Sequence, residues 1–212
     1  MMQLFEGDTL DVFITKNGCL TEDQAWLWFT KLVDTLSVVH SQKIAHRDIK
    51  PQNLMIDKNL DLMLIDFNIS KKGKVIHHDE EDEKCKYKFR YRFFTQVSTP
   101  LYAAPELVNN FLYTEAIDIW GVGMILCLML FGESPFRTRN EEIKEYTVEQ
   151  HQKFINNINT ECQSSQEWKD LILKLLAFDW NDRLDCQECL QHKWVTQRVA
   201  NDVENTDIMG GD

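Results

Sequence analysis

A His, an Arg, an Asp, a Lys and an Asn fall within eight positions in "HRDIKPQN", from His46 to Asn53. That is too much polar chemistry for a core segment. Asp66 follows after two short apolar runs, and a turn between those runs would let it approach Asp48 in space. Asp48 can accept a hydroxyl proton. Lys50, on the same loop, can neutralise a phosphate. The oxygens of Asn53 and Asp66 suit Mg²⁺, a hard ion that keeps several waters and binds substrate phosphates. A base, a cation and a metal pair together are suited to phosphoryl transfer.

These residues need elements to position them. "NLMID" and "DLMLID" flank the turn "KNLD" and predict a two-stranded hairpin. Upstream, "GCLTEDQAWLWFTKLVDTLSVVHSQ" predicts a long helix. Thr21 and Gln24 form its capping box, and Ala25, Trp28, Leu32, Val33, Leu36 and Val39 share one face. Further helices are predicted over 114–131, 147–158, 165–178 and 186–192. Ser164 with Glu167 and Asp185 with Glu188 are read as caps, and "GESPF" as a stop after the first of these helices. The tail 196–212 is polar and expected to fray. The fold class is mainly α (α+β): one helical domain with a small β-hairpin carrying the polar loop.

The chain has 212 residues, enough for one domain with a proper core. Its net charge of 23 − 34 = −11 disfavours nucleic acid and anionic membrane as partners. The longest apolar run, 117–131, is shorter than the roughly 20 residues of a membrane span. Six scattered cysteines and no export signal point to an intracellular, cytoplasmic setting, with the nucleus left open. Cys186 and Cys189 are expected to be unpaired structural thiols, because one such pair cannot make a four-ligand zinc site. From Lys84 to Phe93 cations alternate with Cys85 and aromatic residues. A single-stranded nucleic-acid platform is the rival reading there. The acidic run 79–83 argues instead for an extended strand with Tyr87, Phe89 and Tyr91 packed inward.

"HRDIKPQN" closely resembles the catalytic loop of eukaryotic protein kinases. "DFN" at 66–68 resembles that family's metal-binding D-F-G. "STPLYAAPE" is similar to its peptide-binding loop and A-P-E, "DIWGVG" to the start of its central helix, and "NDRL" supplies the matching Arg. All occur in family order over residues 1–195. The resemblance implies a kinase C-lobe fold and ATP-dependent transfer of phosphate to protein Ser or Thr hydroxyls, with Mg²⁺. It implies Asp48 as base, Lys50 as γ-phosphate contact, and Asn53 and Asp66 as metal ligands. Met2, Gln3 and Phe5 would line the adenine hinge and Met55 its floor. His46 and Phe67 would stack within the core that sets the active state. Glu106 and Arg183 would form a buried ion pair. Asp118 would hold the catalytic-loop backbone, and its place inside an apolar run argues for burial. Lys50 and Thr99 are the serine/threonine-type choices. Thr95 occupies the phosphosite position opposite Arg47, where a phosphate would add about −1.5 to −2 charge; the alternative is a plain exposed threonine.

The sequence departs from the family at three places. Asn68 replaces a Gly expected at positive φ and is expected to shift the conformational balance rather than remove metal binding. Ser98 replaces another Gly. No G-x-G-x-x-G, strand Lys or helix Glu of an N-terminal lobe is present. The resulting expectation is a truncated catalytic domain, or one completed by a separate chain, that is weak or inactive alone. The alternative is a non-catalytic kinase-like scaffold.

Overall fold

The computed structural model describes residues 6–73, 102–109, 113–132, 147–161 and 165–198. Met2, Gln3 and Phe5, expected to line the adenine hinge, the segment 84–93, Ser98, Thr95, Thr99 and the tail beyond 198 lie outside them.

Helix α2 (Glu22–Ser41) starts at the predicted capping box: Thr21 Oγ1 accepts from Gln24 N–H while the Gln24 side chain accepts from Thr21 N–H. Its apolar stripe buries Ala25, Trp28, Phe29, Leu32, Val33 and Leu36. Periodicity alone predicts such a stripe, since residues three and four apart share a face. A shorter helix, α1 (Leu10–Asn17), precedes it.

β3 (Leu54–Asp57) and β4 (Leu62–Leu64) form the predicted antiparallel hairpin, with Leu54 opposite Leu64. Asp57 organises the turn by accepting from the amides of Asn59 and Asp61. The Trp28 indole donates to Leu60 O at 2.9 Å and ties the turn to α2. The hairpin is not two-stranded in isolation. β1 (Gly7–Thr9) pairs with the outer edge of β3, giving the order β1-β3-β4. A three-residue strand is too short to show period-2 patterning, which is why the sequence did not reveal it. Gly7 permits the pairing: a Cβ there would sit 2.1 Å from Ile56 O. A second, two-stranded sheet joins β2 (Ile44–Ala45) to β5 (Lys71–Lys72).

After α3 (Pro105–Val108), helix α4 (Ala116–Phe131) runs through the core. It is apolar all round, and nearly every residue is buried, Asp118 included. That is the pattern of a central helix covered on every side. It packs on α2 and on α6 (Gln166–Leu175), while α5 (Val148–Glu161) packs on α6. Ser165 rather than Ser164 caps α6, accepting from Trp168 N–H at 3.3 Å. The fully buried Trp168 fixes that register. α7 (Cys186–Gln191) keeps the predicted Asp185–Glu188 box and packs on α2.

Residues 193–198 are helical, and the Arg198 guanidinium pairs with Glu22 and lies 4.9 Å over the Trp194 ring. No helix among the described residues is long and apolar enough to cross a membrane.

Candidate active site

The polar loop leaves β2 at Ala45 and enters β3 through a 3₁₀ turn, Pro51–Asn53. Pro51 suits the first position of that turn because its missing N–H would have no partner there. The turn brings three predicted residues together. Lys50 Nζ lies 2.6 Å from Asp48 Oδ2. Asn53 Nδ2 donates to Asp48 Oδ2 at 3.0 Å and to Asp48 O at 2.8 Å. The Asp48 carboxylate is therefore held by a cation and an amide.

Asp66 is joined to this group through the backbone, since Ile65 N–H donates to Asn53 O at 2.9 Å. The left-handed residue of this segment is Asp66, at φ 64°, and not Asn68. One Asp66 oxygen accepts from Asn68 N–H at 3.2 Å, a local turn that places the positive φ on the acid. The expectation that Asn68 stands in for a positive-φ glycine is thereby corrected.

The donor chemistry fits a hard cation. The Asn53 amide nitrogen faces Asp48, so its oxygen is the atom available as a ligand. Asp66 is exposed, and its second oxygen can join the first sphere. Among the described residues no group of three or more His, Cys, Asp or Glu could hold a metal. An ion bound by Asn53 and Asp66 would take its other ligands from water and phosphate. Met55 is half-buried on the outer face of the β-sheet, opposite Met63.

Beneath the loop lies Asp118, 1% exposed. Its Oδ2 accepts from His46 N–H and its Oδ1 from Arg47 N–H, both at 2.8 Å. Arg47 needs such support because its φ is 73°, in the left-handed region. His40, at the end of α2, donates from Nε2 to Asp118 Oδ2 at 2.9 Å. Burial alone would raise the Asp118 pKa. The bond and charge of His40, with the loop amides, outweigh burial and hold the carboxyl below its usual range. Burial likewise opposes the charge on His40, yet its bonds to Asp118 and Cys186 push its pKa up to about 10. Close approach of α4 completes the support: a Cβ on Gly121 would lie 2.6 Å from Ile49 Cβ.

His46 is fully buried. Its Nε2 donates to Ile65 O at 3.0 Å, and its Nδ1 accepts from Asp48 N–H at 3.3 Å. Phe67 meets its ring edge-to-face at 4.7 Å. Phe67 is nonetheless 44% exposed, so only one side of this expected core pair is covered. Arg47 reaches the next segment, donating from Nε to Ile69 O at 2.5 Å and from Nη1 to Tyr113 Oη at 3.1 Å.

Glu106 and Arg183 meet in a buried bidentate pair at 2.6 and 2.8 Å. Arg183 also donates to the carbonyls of Ala116, Ala177 and Phe178. Its guanidinium carbon lies 5.0 Å over the Trp120 ring.

Sequence reasoning missed His40, Tyr113 and Asp11. The Asp11 carboxylate accepts from Gln52 Nε2 at 2.7 Å and brings an acid beside the loop. None of the three carries a local signal, because each meets the loop only through long-range packing.

A sequence-family profile described as protein kinase domain matches residues 1–195. The chain is 32% identical to death-associated protein kinase 2 of Homo sapiens over 205 residues, covering 92% of this chain and 50% of that protein. It is 26% identical to serine/threonine-protein kinase 33 of Mus musculus over 219 residues, covering 99% of this chain and 42% of that protein. It is 34% identical to serine/threonine-protein kinase PKH1 of Saccharomyces cerevisiae over 186 residues, covering 88% and 24%. The chain thus spans half or less of the length of each of these relatives. With a match over most of its length, the chain belongs to the protein kinase domain family.

Proposed function

We propose that this chain carries the lower half of the catalytic site of an ATP-dependent protein serine/threonine kinase. The observation that carries the reading is the Asp48 carboxylate held at 2.6 Å by Lys50 and at 3.0 Å by Asn53. In this reading Asp48 accepts the proton of the substrate Ser or Thr hydroxyl as the hydroxyl oxygen bonds to the γ-phosphorus and the bond from that phosphorus to the ADP oxygen breaks, ADP leaving. Lys50 neutralises charge on the transferred group. Asn53 and Asp66 would hold Mg²⁺, which supplies neutralisation of the phosphate oxygens when bound. Met55 would floor the adenine site. His46, Arg47 and Asp118 position the loop. The serine/threonine assignment is supported by the names of the relatives and by Lys50.

The 212 residues contain no glycine-rich phosphate loop and no strand Lys. Those groups preorganise charge, and losing a single such donor can cost ~10²–10³ in rate. The 212-residue chain alone is therefore proposed to bind Mg-ATP weakly and transfer phosphate slowly, with the upper contacts supplied by another segment or chain. The same sequence feature favours the second reading, a kinase-like scaffold without turnover.

The test is phosphate transfer from Mg-ATP to a generic protein substrate, by the 212-residue chain and by a version extended with a kinase N-terminal lobe. The extended protein is expected to turn over, and Asp48→Asn in it to lose ~10²–10⁴ of the rate. Turnover unaffected by Asp48→Asn would remove the assignment of the base. No turnover and no Mg-ATP thermal shift in either protein would leave the scaffold.

A further inference from the structure

Beneath the loop, Asp118 and His40 belong to a group of reactive side chains that also includes Cys186, which has no part in the site described above. Cys186 Sγ lies 3.5 Å from His40 Nδ1, and the opposite ring nitrogen lies 2.9 Å from Asp118 Oδ2. The three side chains come from α7, α2 and α4, far apart in sequence and converging on one line. Cys186 is 6% exposed and the His40 side chain 12%. Cys186 opens the short helix α7, and His40 lies in the last turn of α2. We propose that Cys186 is a peroxide-sensitive modification site whose oxidation is transmitted through His40 and Asp118 to the backbone of the catalytic loop.

The chemistry follows from the order of the groups. His40 donates to Asp118 through Nε2, and its protonated ring presents an Nδ1–H to the sulfur. A cationic N–H donor beside a cysteine is the setting in which sulfur acts as a nucleophile. The sulfur attacks one peroxide oxygen. The S–O bond forms, the O–O bond breaks, and the thiol proton leaves with the second oxygen as water. Sulfur is oxidised by two electrons to the sulfenic acid and the peroxide is reduced.

The consequence is steric and electrostatic. An added oxygen has no room in a 3.5 Å S···N contact within a packed interior, so the imidazole must move or re-pair. Asp118 then loses the partner that holds it under the His46 and Arg47 amides. The proposal concerns the state of the loop and does not require the chain to transfer phosphate.

The experiment treats the 212-residue protein with hydrogen peroxide in the presence of dimedone, which captures sulfenic acids. Peptide mass spectrometry follows each cysteine, and hydrogen exchange follows the amides of His46 and Arg47. Cys186 is expected to label at least about tenfold faster than the exposed Cys19. Exchange at the two amides is expected to rise about tenfold or more, the scale of one lost charge-assisted hydrogen bond. His40→Gln should slow labelling of Cys186 and leave Cys19 unchanged. Where that variant does not fold, Cys186→Ser decides: peroxide should then leave the exchange of both amides unchanged. Labelling of Cys186 no faster than Cys19, or oxidised Cys186 with unaltered exchange at both amides, overturns the proposal.

Discussion

Arg183 shows what one residue contributes when every donor is used. Its guanidinium has five N–H groups in a fixed fork. Among the described residues it donates twice to Glu106 and once each to the carbonyls of Ala116, Ala177 and Phe178. A lysine has one nitrogen and cannot reproduce that planar fork. Glu106→Gln removes the charge that balances a fully buried guanidinium. It is expected to cost ~3–5 kcal/mol, the range for breaking one partner of a buried pair. Arg183→Lys should cost a similar amount, because the glutamate and three carbonyls lose donors. Urea unfolding of both variants checks this; a loss below about 1 kcal/mol in either would show that water or rearrangement replaces the pair. The pairing was legible through the two motifs that carry it, "APE" and "NDRL". The three carbonyl bonds were not, because backbone acceptors leave no mark on residue type. Asp48, Lys50 and Asn53 were legible for a simpler reason: a short turn cannot separate residues that lie within six positions. His40 was illegible because its site exists only once α2 and α4 are packed.

At the scale of elements, the polar loop rests on the closeness of α4. The helix reaches Ile49 at Gly121, where an added Cβ would stand 2.6 Å from Ile49 Cβ. Gly121→Ala should help an isolated helix by up to about 1 kcal/mol. Here the overlap should win, with a net loss of ~1–3 kcal/mol from overpacking. Exchange of the His46 and Arg47 amides should accelerate with it, since α4 also carries Asp118. Denaturant titration and hydrogen exchange together test this, and a stabilised Gly121→Ala would show that Ile49 yields freely. Element type and order were readable because α2, α4 and β3 have strong patterns: a 3.6-residue stripe, a continuous apolar run, and a short apolar run bounded by a turn. β1 was unreadable because three residues define no period, and its pairing depends on the missing side chain of Gly7. The α6 cap was misplaced by one residue because Ser164 and Ser165 are equivalent in sequence. Only the burial of Trp168 chooses between them.

Across the whole molecule, two half-buried histidines with opposite shifts shape the pH range of stability. His40 has its pKa raised from 6.5 to about 10, burial being outweighed by Asp118 and Cys186. The fold favours its protonated form. Its contribution is complete below pH 6.5, declines above it, and is lost as pH rises through about 10. His151 lies against the rings of Trp120 and Phe178. Burial first, and then the charge of Arg183, lower its pKa from 6.5 to about 4. The fold favours its neutral form, so that contribution is complete above pH 6.5 and lost as pH falls through about 4. Asp118, held below its ordinary value of 3.8, adds to the loss at the acid end. Both histidine contributions are therefore complete together only near pH 6.5, well above the sequence pI of about 5.0. The thermal midpoint is expected to peak near pH 6.5 and fall on both sides. His40→Gln should flatten the limb between pH 6.5 and 10 while leaving the acid limb in place. His151→Gln should do the reverse. A wild-type midpoint that stays level from pH 6.5 to 10 would contradict the charged His40–Asp118 pair, and with it the electrostatic anchor assigned to the polar loop.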